Sequence, residues 1–214
     1  MHNEKFSFEK LSEFHLDALR EVGNIGAGHA AVALTQFLNR STYMSIPNVG
    51  LDRVKSIHKL VKMPTNQDLA IISLNTVSDI KYSLMVFFDQ ESVVKIINLM
   101  TTAPDLEGKD LNDLSPLFKS LIKETGSILL LKYVEALNYF LRANSFPSPP
   151  KLRFGSIDSL KDHELHDNAP DVPAVLVVEC DIFTSKRSIA VDLAIVPQSE
   201  TFDKFMRSLF TDSG

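Results

Sequence analysis

Asp17, Glu21 and Asn24 follow one another at steps of four and three residues, the spacing that aligns side chains along one stripe of an α-helix. The amide of Asn24 is both donor and acceptor, so it could orient a water molecule without acting as a strong base. Gly28 and Ala31 continue the stripe as a shelf of small residues, and Pro47 follows Asn24 after twenty-two intervening residues. The spacing returns in Ser120, Glu124, Ser127 and Pro150, with the shorter Ser127 hydroxyl where the first copy has an amide. Leu131 and Val134 stand where the first copy has Gly28 and Ala31, putting bulk in place of the shelf. By itself, either set is an ordinary solvated helix face; recurrence at a constant offset sets the stripe apart from one.

The element carrying the first set is expected to be a helix from about Ser12 to Leu38. Leu16, Leu19, Gly23, Gly26, Ala30, Ala33 and Phe37 recur at helical spacing and should face the core. Glycines inside an exposed helix each cost ~1 kcal/mol relative to alanine, so theirs are expected to mark close approach to a neighbouring element. The polar stripe lies about 100° round the helix and should meet solvent. Downstream, Val49 and Leu51 suggest a short strand. Leu69–Leu74 and Ile80–Phe88 read as strands joined by a turn at Ser78-Asp79, and Glu91–Met100 as a helix with Val93, Val94, Ile97 and Met100 inward. Thr101–Asn112, acidic and containing Pro104 and Gly108, reads as a linker.

The second half repeats the order. A helix is expected over Pro116–Ala143, a turn at Ser145–Pro150, strands at Leu152–Ile157, Ala174–Phe183 and Ser188–Val196, and a helix near Glu200–Phe210. An offset of 103 relates Glu21, Gly23, Ala33, Leu34, Phe37, Pro47, Val49, Leu51 and Val54 to Glu124, Gly126, Ala136, Leu137, Phe140, Pro150, Leu152, Phe154 and Ile157. The chain is therefore read as an internal duplication, residues 1–112 and 113–214, integrated into one α+β domain. With 214 residues and 44% hydrophobic composition, it can bury roughly 70% of its unfolded surface, enough for one ample core. A net charge of −5 and the lack of a Lys/Arg block argue against a nucleic-acid or anionic-membrane surface and favour a soluble partner. No apolar run approaches the ~18 residues of a membrane span and no signal peptide is visible, so a cytoplasmic location is expected. Cys180, the single cysteine, lies in a strand-like run and reads as a buried small hydrophobe in a reducing compartment.

Other polar groups carry weaker signals. Gly23-Asn-Ile-Gly-Ala-Gly28 has the order G-x-x-G-x-G inside a helical period, with no strand before it, and meets neither the dinucleotide fingerprint nor the P-loop pattern. His163 and His166 are three apart in an Asp-rich stretch without supporting ligands, so a solvated loop is expected and no metal site. His29 adjoins Gly28 but falls on another face from Glu21 and Asn24.

The pattern [Asp/Ser]-x3-Glu-x2-Asn followed after twenty-two residues by Pro, met in full by Asp17, Glu21, Asn24 and Pro47, resembles that of the chemotaxis phosphatase family of CheC, CheX and FliY. The likeness is strongest in REVGNIGAGHAAVALTQFLNR and KETGSILL and extends from about Leu16 to Phe210. It implies two pseudo-symmetric halves sharing a mostly antiparallel sheet, with two long motif-bearing helices exposed on one side. It also implies hydrolysis of the aspartyl phosphate of the response regulator CheY. Asn24 would position the water, Glu21 would pair with the receiver's active-site lysine, and Asp17, Gly28 and Pro47 would support them. The second set, Ser120, Glu124, Ser127 and Pro150, is expected to be degenerate. Mg2+ would come with the phosphorylated receiver, so the chain itself needs no cofactor and no metal ligand. The expected partner is a CheY-type receiver bound by a monomer, and the receptor deamidase CheD is a second candidate. The competing reading is a non-catalytic adaptor of the flagellar-switch kind, because the FliM middle domain is related in fold but lacks the catalytic pattern. Length favours CheC over the shorter CheX, and the absence of an appended module after Phe210 favours it over FliY.

Overall fold

The computed structural model describes residues 13–53, 57–64, 66–102, 106, 108–163, 174–185 and 187–210. Among them α1 spans Glu13–Leu38, β1 Thr42–Asp52, α2 Ile57–Leu60, β2 Leu69–Val77, β3 Tyr82–Phe88, α3 Gln90–Met100, α4 Pro116–Leu141, β4 Phe146–Pro147, β5 Lys151–Gly155, α5 Ile157–His163, β6 Val175–Thr184, β7 Ser188–Pro197 and α6 Phe202–Phe210. The helix ends are built from local chemistry. Asp89 accepts a hydrogen bond from Ser92 N at 2.8 Å to start α3, and Ser115 accepts from Phe118 N with Pro116 next to it to start α4. Asn39 and Arg142 leave α1 and α4 in the left-handed region, with φ of 50° and 47°.

The seven strands form an antiparallel sheet in the order β1-β6-β7-β3-β2, with β5 and β4 pairing along the remaining edge of β2. Every pairing is antiparallel, giving the α+β fold expected from the sequence. The strand exchange was not legible there: β1 of the first half pairs with β6 of the second, β5 of the second with β2 of the first, and β3 with β7 at the centre. Helices α1 and α4 have the same length and an offset of 103 at both ends.

Both faces of the sheet are covered. Leu19, Ala30, Leu34, Leu130 and Leu137 of the long helices pack with Ile72, Val86, Val178 and Leu193 in one apolar cluster. On the opposite face Ile71, Phe87, Val177 and Ala194 pack with Ile57 of α2 and with Ile157 and Leu160 of α5. Strand side chains alternate between these clusters, as the two-residue period requires, and all seven residues of β3 are buried.

Several boundaries differ from those read in the sequence. β1 is an eleven-residue strand, not a short one, with a register shift between Ser45 and Asn48 at the position of Pro47, which has no N–H to offer a ladder. The strand expected over Leu152–Ile157 stops at Gly155, and Ile157 opens α5, where Ser156 Oγ accepts from Ser159 N. Helices α2 and α5 were not foreseen; each is short and holds its apolar residues too briefly to establish a period. Ser12 at the expected start of the first helix, Val54, Ala103, Pro104, Asp105 and Glu107 of the expected Thr101–Asn112 linker, and His166 lie outside the described residues.

Candidate functional site

Helix α1 turns Leu19, Val22, Gly23, Gly26 and Ala30 inward, and the helical period then forces Asp17, Glu21, Asn24 and Gly28 outward, where all four are exposed. The glycines have the reason the sequence suggested. A Cβ on Gly23 would come within 3.0 Å of Ile46 Cδ1, one on Gly26 within 2.8 Å of Tyr133 Cδ1, and one on Gly126 of α4 within 2.7 Å of Ile72 Cγ1. A Cβ on Gly28, in contrast, meets nothing within 4 Å. Gly23 and Gly26 admit neighbours against α1 and Gly126 admits one against α4, whereas Gly28 leaves an open surface.

Along that surface the charges are not equivalent. Asp17 Oδ1 accepts from Arg20 Nη1 at 2.8 Å in an exposed ion pair. Glu21 and Asn24 are exposed, and no described residue pairs with either side chain. A carboxylate and an amide are thus held on one stripe with their polar atoms facing solvent. Beyond Gly28 the stripe runs into a shallow groove lined by Ala31, Val32, Thr35, Tyr43 and Met44. Val32 and Tyr43 are 63% and 67% exposed there. Pro47 lies in β1 at the bulge, on the strand next to α1.

The second set diverges in burial as well as identity. Ser120 and Glu124 are exposed, but Ser127 is only 7% exposed, and its Oγ donates to Lys123 O at 2.6 Å, one turn back along its own helix. Leu131 stands where Gly28 leaves open space in the first set, and Val134 is buried where Ala31 is half-buried. Pro150 follows the short β4 and precedes β5, so that a proline interrupts the edge strand in each half.

Two features near the site were not foreseen. Helix ends are tied to the following strands in both halves: Thr42 N donates to Thr35 Oγ1 at 3.0 Å, and Ser145 N donates to Asn138 Oδ1 at 2.9 Å. The signal was present as polar residues at the 103 offset, but nothing local showed that they bond. The other feature is Tyr133, fully buried, whose hydroxyl donates to Gly23 O at 3.2 Å and lies 3.4 Å from Cys180 Sγ. Burial pushes the Cys180 thiol up to about 12, as an inert core residue requires.

On the opposite face of the sheet, Asp192 Oδ2 accepts from Lys62 N and Met63 N at 3.0 and 3.2 Å. Its cross-strand neighbour Glu179 accepts from Asn48 Nδ2 at 2.9 Å and pairs with Lys62 Nζ. Burial is the main cause that raises the Asp192 carboxyl to about 6. Backbone hydrogen bonds make this a structural clasp. Among the described residues, no group of three or more His, Cys, Asp and Glu could hold a metal ion, and no helix is long and apolar enough to cross a membrane. His29 is exposed; His163 ends α5, and the pair with His166 cannot be placed because His166 is outside the described residues.

Residues 14–51, which take in all but one residue of each of α1 and β1, match the CheC-like family. Over 209 residues the chain is 27% identical to the CheY-P phosphatase CheC of Bacillus subtilis (strain 168), covering 94% of this chain and 97% of that protein. The fold is similar to the crystal structure of Thermotoga maritima FliY, with a TM-score of 0.70 and 20% identity, covering 96% of this chain and 100% of the other. It is also similar to the FliM middle domain from H. pylori, with a TM-score of 0.61 and 10% identity over 94% and 99% of the two chains.

Proposed function

We propose that this chain is a member of the CheC/CheX/FliY family, that it hydrolyses the aspartyl phosphate of a CheY-type receiver, and that it does so through the α1 stripe. The observation that carries this reading is the pairing of an exposed carboxylate, Glu21, with an exposed amide, Asn24, neither engaged by another described residue, beside a Gly28 with open space above it. The stretch that matches the CheC-like family, residues 14–51, carries these residues, and the relative named as a CheY-P phosphatase covers 94% of this chain.

An aspartyl phosphate already has a carboxylate as leaving group. What hydrolysis lacks is a water in line with the P–O bond and stabilisation of charge on the phosphoryl oxygens, so catalysis consists of positioning and electrostatics. Asn24 is suited to both: its Oδ1 accepts from the water and its Nδ2 donates to a phosphoryl oxygen, with no change of protonation on the protein. Glu21, one turn back, pairs with a receiver lysine and sets the register in which Asn24 enters the receiver's site. The Mg2+ arrives as part of the phosphorylated substrate. Asp17, held by Arg20, shapes the charged rim. With Ser127 buried and bonded to its own helix, α4 supplies no second active site.

Decay of a phosphorylated receiver, followed with and without the protein, tests the reading. Accelerated phosphate release by the wild-type chain, lost in Asn24→Ala, supports it. Tight receiver binding with an unchanged decay rate identifies an adaptor instead.

A further inference from the structure

We propose that Tyr133, on the helix opposite the working stripe, is a positioning residue that sets the depth and roll of α1, and so where Asn24 meets the receiver's phosphate. The inference rests on the phosphatase reading above. Tyr133 is fully buried and ties three elements together from α4. Its ring occupies the space left by the missing Cβ of Gly26, which would stand 2.8 Å from Tyr133 Cδ1 and Cε1. Its hydroxyl donates to Gly23 O at 3.2 Å and lies 3.4 Å from Cys180 Sγ of β6. A helical carbonyl has a second lone pair beyond the one its i+4 partner uses, and here it receives a side chain from another helix. Gly23 and Gly26 flank Asn24 in sequence, so the lock acts on the turn of backbone that bears the amide.

The contact is not reciprocal. At the 103 offset, Ala30 of α1 corresponds to Tyr133, and Leu129 of α4 corresponds to Gly26. Ala30 has no hydroxyl to offer the carbonyl of Gly126, and Leu129 leaves no space for a ring. The one-sided lock holds the helix whose Glu-x2-Asn pair is intact and ignores the helix whose pair is degraded. Stability alone accounts for a buried tyrosine with a satisfied hydroxyl; it does not require the lock to fall on the turn beneath Asn24.

The test is steady-state dephosphorylation of a CheY-type receiver by wild-type protein and by Tyr133→Phe, Gly26→Ala and Gly26→Ala/Tyr133→Leu, with thermal melting of each and Asn24→Ala as control. Tyr133→Phe keeps the ring and should lower kcat about threefold or more at unchanged KM. Gly26→Ala pushes a rigid ring against the helix and should lower kcat about tenfold or more, since small misplacements of a positioning group are expensive in rate. Tyr133→Leu should return at least half of that loss, the rescue that a merely structural role does not give. Wild-type kcat in Tyr133→Phe, or no rescue in the double variant, overturns the inference. If Gly26→Ala fails to fold, Tyr133→Phe decides alone. Activity abolished by Asn24→Ala but untouched by Tyr133→Phe sinks this proposal and leaves the phosphatase reading standing; a wild-type protein that does not hydrolyse the receiver phosphate sinks both.

Discussion

An exposed amide that works by holding a water contributes to turnover and almost nothing to folding. Asn24→Ala should therefore lower kcat by ~10²-fold or more while melting as the wild type does, because Asn24 is exposed and no described residue pairs with its side chain. Single-turnover decay of a phosphorylated receiver measures it, and near-wild-type hydrolysis by the folded variant removes Asn24 from the mechanism. Asp192 presents the converse case, a buried carboxyl held by two backbone N–H groups away from the α1 stripe. Its folded pKa of about 6 stands above its ordinary 3.8, chiefly through burial and with the neighbouring Glu179 adding to it. The folded state therefore takes up the proton first, and this residue's contribution to stability is greatest below about pH 4 and is lost as pH rises through 6. Asp192→Asn keeps an acceptor for Lys62 N and Met63 N and removes the charge. The variant should be more stable than wild type above pH 7 by on the order of 2 kcal/mol, with the difference vanishing near pH 4. Denaturant unfolding of the two proteins across that range checks it, and a constant difference rules out the titration of Asp192 as its source.

At the scale of the element, α1 and α4 have one backbone plan and opposite surface properties. Gly28 sits in the interior of α1 with open space where a Cβ would be. Gly28→Ala should raise stability by ~1 kcal/mol through helix propensity and, on the proposed reading, weaken receiver binding, because the methyl would intrude on the open surface where the receiver is proposed to dock. Thermal melting with receiver titration separates the effects; wild-type affinity means that the shelf is not used. On α4, Ser127 is buried and its hydroxyl is bonded to Lys123 O. Ser127→Asn placed in the Asn24→Ala background should restore no phosphatase activity and should cost ~1–3 kcal/mol through overpacking. Recovery of hydrolysis would mean that α4 can open its face to a receiver.

For the molecule as a whole, the exchange of strands has a direct consequence. We propose that the two halves arose by duplication, yet neither should fold alone. Among the described residues, β1 of the first half pairs only with β6, β5 of the second pairs only with β2, and β3 and β7 pair with each other across the halves. A fragment of residues 1–112 would leave β1 without a ladder partner and expose the apolar face that α4 covers. Circular dichroism and melting of fragments 1–112 and 113–214 should show no cooperative unfolding in either, and mixing or co-expression should restore it. An independently folded fragment argues against this account of how the sheet is held.

Periodicity is a local property, and what depends on it alone was legible in the sequence. The spacing of Leu19, Gly23, Gly26 and Ala30 dictated a helix with one buried side, and with it the exposure of Asp17, Glu21, Asn24 and Gly28. The 103 offset likewise anticipated the matching ends of α1 and α4. Ile157 was misread because a β-branched residue after a strand suits either more strand or the buried side of a new helix, and the local pattern is too short to choose. Ser127 and Glu124 share the spacing of Asn24 and Glu21, yet Ser127 is buried where Asn24 is exposed. Tyr133 lies on the apolar face of its helix in any reading, but its bond to Gly23, 110 positions away, and the strand exchange between the halves were decided only by tertiary structure. Burial and pairing depend on which distant segment arrives against a surface, and helical or strand period carries no information about that arrival.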